Sequence, residues 1–251
     1  MNPAEFANIA AAEESFWWFQ GMNRMLWDFL DPHHPFSGIT LEAGCGTGGI
    51  SALLRDRYPE SEVVSIDLSP EGLRYARGHG LDSLTQADMR QIPFRSASVQ
   101  TLLTLDAIVH LEPGEESAAF DEFARVLAPG GLLLLRASAF RWLRSRHSTF
   151  VQERQRFRAG TLLPALERSG FEILRHTYAN SLLLPVSLFK FRIWEPLSGA
   201  QPESGLQLLP SPLNAILRSV LMVEAAWIRH GGRFPVGQSL WVVARRKGLL
   251  Q

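Results

Sequence analysis

Leu41-Glu42-Ala43-Gly44-Cys45-Gly46-Thr47-Gly48-Gly49 is the stretch that decides the fold. The run Ile39–Glu42 reads as a short strand and Gly49–Tyr58 as a helix, so the glycines fall on a strand-to-helix turn. Without a Cβ, the backbone there can turn tightly and let a ligand approach closely. Gly-x-Gly-x-Gly alone would serve a dinucleotide equally well. Glu42 argues against that, because a pyrophosphate gains nothing from a negative charge at the loop entrance, whereas a ligand carrying an ammonium and a sulfonium does. Eighteen residues beyond Gly49, Asp67 ends a second apolar run, Glu62–Asp67. Its two acceptor oxygens suit the hydroxyls of a ribose.

Outward from this unit, short apolar runs alternate with helical segments, the pattern of a parallel sheet with crossover helices. Further strands are expected at Ser83–Gln86, Val99–Leu105, Gly131–Ala137, Phe171–Thr177 and Ser239–Arg245, and helices at Pro70–Gly78, Glu115–Leu127 and Leu162–Ser169. Residues 5–30 carry apolar side chains at helical intervals and read as one or two helices, stopped by the turn 31–35. Two segments break the rhythm. Residues 138–160 interleave arginines with aromatic rings, and residues 180–236 form a long excursion before the last strand. The excursion holds an apolar segment, Leu182–Trp194, and a helix from about Pro212 to Arg229, with Ser211 as its expected cap. On that helix Leu213, Ile216, Leu217, Val220, Leu221, Trp227 and Ile228 share one side, and Glu224 sits beside them.

The 251 residues suffice for one domain, and 46% hydrophobic against 20% charged side chains places the chain among globular proteins. Twenty-five basic groups balance 25 acidic ones, so no net field attracts a polyanion and a nucleic-acid partner is not expected. The single cysteine, Cys45, excludes an intrachain disulfide and a cysteine-based metal cluster, and the scattered histidines give no ligand pair, so no metal is expected. The opening residues lack the basic and apolar regions of a signal peptide, and no apolar run reaches the roughly 18 residues of a spanning helix. A cytoplasmic location is the expectation. The segments around 181–194 and 212–228 can lie on a membrane but not cross it.

With the segments further along, the glycine loop resembles that of class I S-adenosylmethionine-dependent methyltransferases of the small-molecule branch, similar to the ubiquinone/menaquinone-biosynthesis type. The likeness runs from about residue 38 to 137. It takes in Glu-x-Gly-x-Gly-x-Gly, Asp67, Ala87-Asp88-Met89 before Ile92-Pro93-Phe94, the strand leading to Asp106 and His110, and Leu127-Ala128-Pro129-Gly130-Gly131. The resemblance implies a Rossmann-like seven-stranded α/β sheet with a final antiparallel strand, an N-terminal helical lid (1–36), a cofactor-binding core (37–179), a helical insertion covering the substrate (180–236), and a last strand and tail (237–251). It also implies that Glu42 and the loop Gly44, Cys45, Gly46 and Gly48 line the methionine and sugar parts of S-adenosylmethionine. Asp67 would take the ribose with Leu68 beside the adenine, and Asp88 would take the adenine amino group with Met89 on the ring. Ala87 and Leu105 complete the implied set.

The acceptor side is less defined. Methyl transfer needs an in-line geometry and, for many acceptors, a proton acceptor. Relatives often read Glu-His where this chain has Val109-His110. His110 can be a base, a substrate hydrogen-bond donor or a loop-fixing residue, and His147 is a second candidate base. Phe16, Trp17, Trp18 and Phe19 are expected to seal the pocket for an apolar or amphiphilic acceptor, or to pack against the body of the domain. The arginines from Arg136 to Arg175 read as a solvated surface or as an anion site. The expected reaction is methyl transfer to O, N or C of a small apolar or amphiphilic metabolite, by a monomer or homodimer with peripheral membrane contact left open. A protein or RNA acceptor, or a cofactor-binding partner protein without turnover, are the rivals.

Overall fold

The computed structural model describes residues 1–33, 37–199, 201–206 and 209–248. Seven strands build one sheet: β1 (Gly38–Ala43), β2 (Ser61–Asp67), β3 (Leu84–Gln86), β4 (Val99–Leu105), β5 (Leu127–Ser138), β6 (Phe171–Ala179) and β7 (Ser239–Arg246). Their order is β3-β2-β1-β4-β5-β7-β6. Strands β1 to β5 pair in parallel, and β7 inserts antiparallel between β5 and β6. The strand order reverses between β1 and β4, which opens a crevice at the carboxyl ends of those strands.

The helices are α1 (Pro3–Ala12), α2 (Trp17–Leu30), α3 (Gly49–Arg57), α4 (Pro70–Gly78), α5 (Glu116–Val126), α6 (Arg146–Phe150), α7 (Ala159–Arg168), α8 (Leu184–Phe189), α9 (Glu195–Ser198) and α10 (Ser211–Arg229). A π-helical turn, Lys190–Trp194, fuses α8 to α9. Because strand side chains alternate, each central strand feeds two cores. On β5, Leu133, Leu135 and Ala137 meet Phe120 and Phe123 of α5 and Leu162 and Leu166 of α7. Leu132 and Leu134 face the other way, with Trp241 and Val243 of β7, onto Met22, Met25, Leu26 and Phe29 of α2 and Leu221, Ala225 and Ile228 of α10.

Several expectations need correction. The fifth strand begins at Leu127 rather than Gly131, because the chain bulges: Val99 pairs with Leu127, and Thr101 already with Leu132. Gly130, at φ 79°, lies within that bulge. Ser211 does not cap α10: Pro210 is extended, its carbonyl accepts the Asn214 N–H at 3.0 Å, and no side chain caps the end. The apolar residues of α10 do not share one side. Leu221, Ala225 and Ile228 point into the core, while Ile216, Val223 and Trp227 are exposed. The segment 5–30, expected as one or two helices, holds two, because the chain turns at 13–16 between them. Of the turn expected at 31–35, residues 34 and 35 lie outside the described residues, as do 207–208 of the excursion and 249–251 of the tail.

Candidate active site

A cavity of about 1580 Å³ opens at the carboxyl edge of the sheet. Pockets for one small ligand typically span ~300–1,000 Å³, so two ligands fit here side by side. Nearly every residue expected at the site lies on its wall: Phe16, Trp17, Trp18, Phe19, Glu42, Gly44, Cys45, Gly46, Asp67, Leu68, Ala87, Asp88, Met89, Leu105, His110 and His147. Gly48 does not. At φ 82° it starts α3, and a Cβ there would come within 2.7 Å of Ala76 Cβ, so its glycine serves the turn and the helix packing.

The wall beside the glycine loop is built of acceptors. Glu42, on β1, is 2% exposed and accepts a hydrogen bond from Ser51 Oγ, which in turn contacts Ser65 Oγ at 2.6 Å. Burial pushes its carboxyl up to about 8. Asp67 accepts the N–H of Gly46 and of Ser69, each at 2.8 Å and one on each oxygen, which ties the loop to the end of β2. Each oxygen keeps a lone-pair site for a further donor. Asp88 is held by Arg90, whose hydrogen bonds keep its carboxyl below the usual range, and Arg90 reaches on to Glu115 at 2.5 Å. Leu68 is 64% exposed on the cavity wall, an apolar surface for a flat ring. The Cys45 thiol is buried, which pushes its pKa up and makes it an inert spacer.

Ammonium, ribose hydroxyls and adenine amino group are all donors, and S-adenosylmethionine carries all three; Glu42, Asp67 and Asp88 supply the matching acceptors. At Gly44 an added Cβ would stand 2.3 Å from Ala107 Cβ, so the loop lies as close to the β4 end as a backbone can. The residues present therefore fit this cofactor.

The opposite wall is assembled from distant segments. Phe16, Trp17, Trp18 and Phe19 make a run of tilted and edge-on ring pairs with centroids 5.1 to 6.4 Å apart. Leu183, Val186 and Trp194 face them from the excursion, with Leu213 and Leu217 from α10. Polar latches hold these pieces together. Asn214 Oδ1 accepts the Trp17 N–H at 3.0 Å, and its Nδ2 donates to the Ser15 carbonyl at 3.1 Å. Glu13 accepts from Thr47 Oγ1 at 2.6 Å and meets His79 Nε2 at 2.9 Å, pinning the lid to the glycine loop. Glu5, 1% exposed, accepts from Ser204 Oγ at 3.1 Å.

His147 Nδ1 accepts the Gly205 N–H at 3.0 Å, so its proton sits on Nε2, and burial lowers its pKa. With Nδ1 committed to the excursion, His147 acts as a latch. His110 has the other tautomer: a carbonyl can only accept, so Nδ1–H donates to the Gln152 carbonyl at 3.3 Å and Nε2 keeps its lone pair. Burial pushes His110 down to about 4, so the ring is neutral at physiological pH.

Sequence reasoning missed two features. Asp106, at φ 55°, accepts from Arg136 at 2.8 Å, and the Arg136 guanidinium lies 4.9 Å from the Trp18 ring centroid and 5.2 Å from that of Trp241. Cofactor core, lid helix and last strand thus converge on one buried cation. Second, Glu224 is fully buried, and its Oε2 accepts the N–H groups of Ser181 at 2.8 Å and Leu182 at 2.9 Å, fastening the start of the excursion to α10. An acid within an apolar helical stripe was the available signal. The arginine-rich stretch is largely spent internally. Arg144 donates to the Glu153 carbonyl, Arg146 to Ser198 and the Glu195 carbonyl, Arg154 pairs with Glu112, and Arg156 pairs with Glu153.

Residues 40–131 match the family described as "Methyltransferase domain". A malonyl-[acyl-carrier protein] O-methyltransferase of Herminiimonas arsenicoxydans is 34% identical over 110 residues, 44% of this chain and 41% of that protein. A ubiquinone biosynthesis O-methyltransferase of Xylella fastidiosa is 33% identical over 138 residues, 50% of this chain and 55% of that protein. The chain thus spans about half the length of the curated relatives it matches. Among solved structures, an S-adenosylmethionine dependent methyltransferase from Mesorhizobium loti superposes with a TM-score of 0.59 at 18% identity, over 93% of this chain and 99% of that one. The chain has the class I S-adenosylmethionine-dependent methyltransferase fold, and about half of it is similar in sequence to a ubiquinone biosynthesis O-methyltransferase. Glu42, Asp67 and Asp88 line the crevice at the carboxyl edge of that fold's sheet.

Proposed function

We propose that the chain transfers a methyl group from S-adenosylmethionine to O, N or C of a small apolar or amphiphilic metabolite, in the cytoplasm and without a metal. One observation carries this reading: a single cavity joins a wall of carboxylate acceptors to a wall of aromatic and aliphatic side chains. When bound, the cofactor supplies an electrophilic methyl group on a sulfonium. Glu42, Asp67 and Asp88 anchor its donor groups, Leu68 and Met89 flank the adenine, and Phe16–Phe19 exclude water and hold the acceptor. His110 presents a neutral Nε2 to accept a proton where the acceptor must lose one.

A macromolecular acceptor is less well supported, because the arginines that would line a basic groove are committed to internal partners. A monomer or homodimer with peripheral membrane contact belongs to the same reading. The test is release of S-adenosylhomocysteine with a panel of prenylated phenols, fatty acyl compounds and polyketide-like rings, alongside peptides and RNA. Acceptor-dependent release with an amphiphile supports the proposal. Release only with peptide or RNA would overturn the acceptor class, and no release with any acceptor would favour a partner protein without turnover. His110→Ala is expected to lower kcat roughly 10²-fold or more if the acceptor is a hydroxyl. The wild-type rate should show no break from His110 between about pH 5 and 8, since its pKa of about 4 lies below that window.

A further inference from the structure

A helix that only covers a core turns a charged face to water. The outer face of α10 carries none. Ile216, Val223 and Trp227 are each more than half exposed. With Val220 they recur at i, i+4, i+7 and i+11, one stripe along the helix. The flanking exposed positions Ala215, Ser219 and Ala226 are uncharged. Arg218 and Arg229 edge this face; Arg218 donates to Gln20 Oε1 at 3.3 Å, Arg229 lies near Asp28, and neither they nor Arg233 make an ion pair within 4.0 Å among the described residues. From residue 206 to 237 the only acid is Glu224, which is buried.

The α8–α9 rod repeats the design. Phe189, Ile193 and Leu197 are exposed at i, i+4 and i+8, beside Lys190 and Arg192. Val186 and Trp194 of the rod and Leu213 of α10 are exposed and also line the cavity. The same two elements therefore offer apolar side chains both outward and into the cavity mouth.

The geometry points to a docking surface for an anionic phospholipid bilayer, formed by the outer faces of α10 and the α8–α9 rod, with the cavity mouth against the lipid. Charge complementarity selects the occupant. Apolar side chains with a tryptophan enter the headgroup boundary while the exposed Arg218 and Arg229 meet lipid phosphates. A second copy of the chain fits worse, because a twofold contact would set a cationic edge without exposed acids against its own copy. No helix of the described residues is long and apolar enough to cross a membrane, so the contact is peripheral. Docking itself does not depend on the proposed reaction; only the consequence does, namely that an amphiphilic acceptor enters from the bilayer.

The experiment is co-sedimentation of the full chain with phosphatidylcholine vesicles, with and without phosphatidylglycerol, read beside light scattering and a titration with S-adenosylhomocysteine. Wild type is expected to bind the phosphatidylglycerol vesicles roughly tenfold or more tightly than the neutral ones, and to lose that preference in high salt. The triple variant Ile216→Ser, Val223→Ser, Trp227→Ser should lose vesicle binding while keeping wild-type S-adenosylhomocysteine affinity. Arg218→Glu with Arg229→Glu should abolish the preference for anionic lipid. Wild type that ignores both vesicles, variants that bind like wild type, or a wild-type dimer that the triple variant dissolves without any vesicle binding would each overturn the proposal. Failure of S-adenosylhomocysteine binding in every protein would instead strike the proposed function and leave the docking result readable.

Discussion

The two walls of the cavity are built on different principles. The carboxylate wall comes from consecutive strand ends of one half of the sheet, and its polar atoms are positioned by the loops at those strand ends: Asp67 by Gly46 and Ser69, Asp88 by Arg90. The apolar wall comes from the first 30 residues and from 180–236, held together by contacts such as Trp17 with Asn214 and Glu5 with Ser204. A donor-rich cofactor needs fixed acceptors at strand ends. An amphiphilic acceptor needs apolar area, and many arrangements of rings and leucines provide it. The first wall is therefore specified by residue identity and the second by assembly.

The largest effect should come from breaking the point where the walls meet. Asp106→Ala leaves the buried Arg136 guanidinium without its anion, and is expected to destabilise the fold by about 3 kcal/mol, read as a fall in denaturation midpoint. Asp67→Ala removes the ribose acceptor and frees the glycine loop, so S-adenosylhomocysteine affinity should fall roughly 100-fold by calorimetry, each lost charged hydrogen bond being worth about 1.5–3 kcal/mol. Leu213→Asp sharpens the comparison from the other side. It should raise KM for an amphiphilic acceptor roughly tenfold while changing S-adenosylhomocysteine affinity less than about threefold. Equal effects on both ligands would show that the walls are not separable.

The smallest effect is one of pH. Because Glu42 in the folded chain holds its proton up to about 8, binding an ammonium beside it must release that proton. Cofactor affinity should rise as pH increases toward 8, at most about tenfold per unit, and flatten above; Glu42→Gln should remove the slope. The linked stability term has the opposite sign. A carboxyl raised above its unfolded value makes the folded state bind the extra proton, so this contribution is lost as pH rises from the ordinary glutamate range through about 8.

All seven strands could be placed from the sequence, because a sheet buried on both faces leaves short apolar runs bounded by turns, and the antiparallel last strand followed from the family resemblance. Most residues expected to hold the cofactor line the cavity, and each sits at a strand end or in a glycine turn, where local chemistry restricts the choice. Gly48 was the exception, since spacing cannot distinguish a glycine facing a ligand from one facing Ala76. What eluded sequence reading depends on long-range contact. The pairing of Asp106 with Arg136 joins the residue just after β4 to one on β5, and nothing local announces it. His147 reads as a base on composition, but the Gly205 N–H on its Nδ1 makes it a latch. On α10, helical periodicity revealed apolar residues and could not tell which of two faces meets the core.

The central claim is that the carboxylate wall holds S-adenosylmethionine, and calorimetric titration with S-adenosylhomocysteine at pH 7 in two buffers of different ionisation heat tests it most directly. One-site binding is predicted, with a buffer-dependent heat that reports proton release from Glu42 and disappears in Glu42→Gln, and with affinity lost in Asp67→Ala. Absence of binding to the wild type, or binding that Asp67→Ala leaves unchanged, would contradict it.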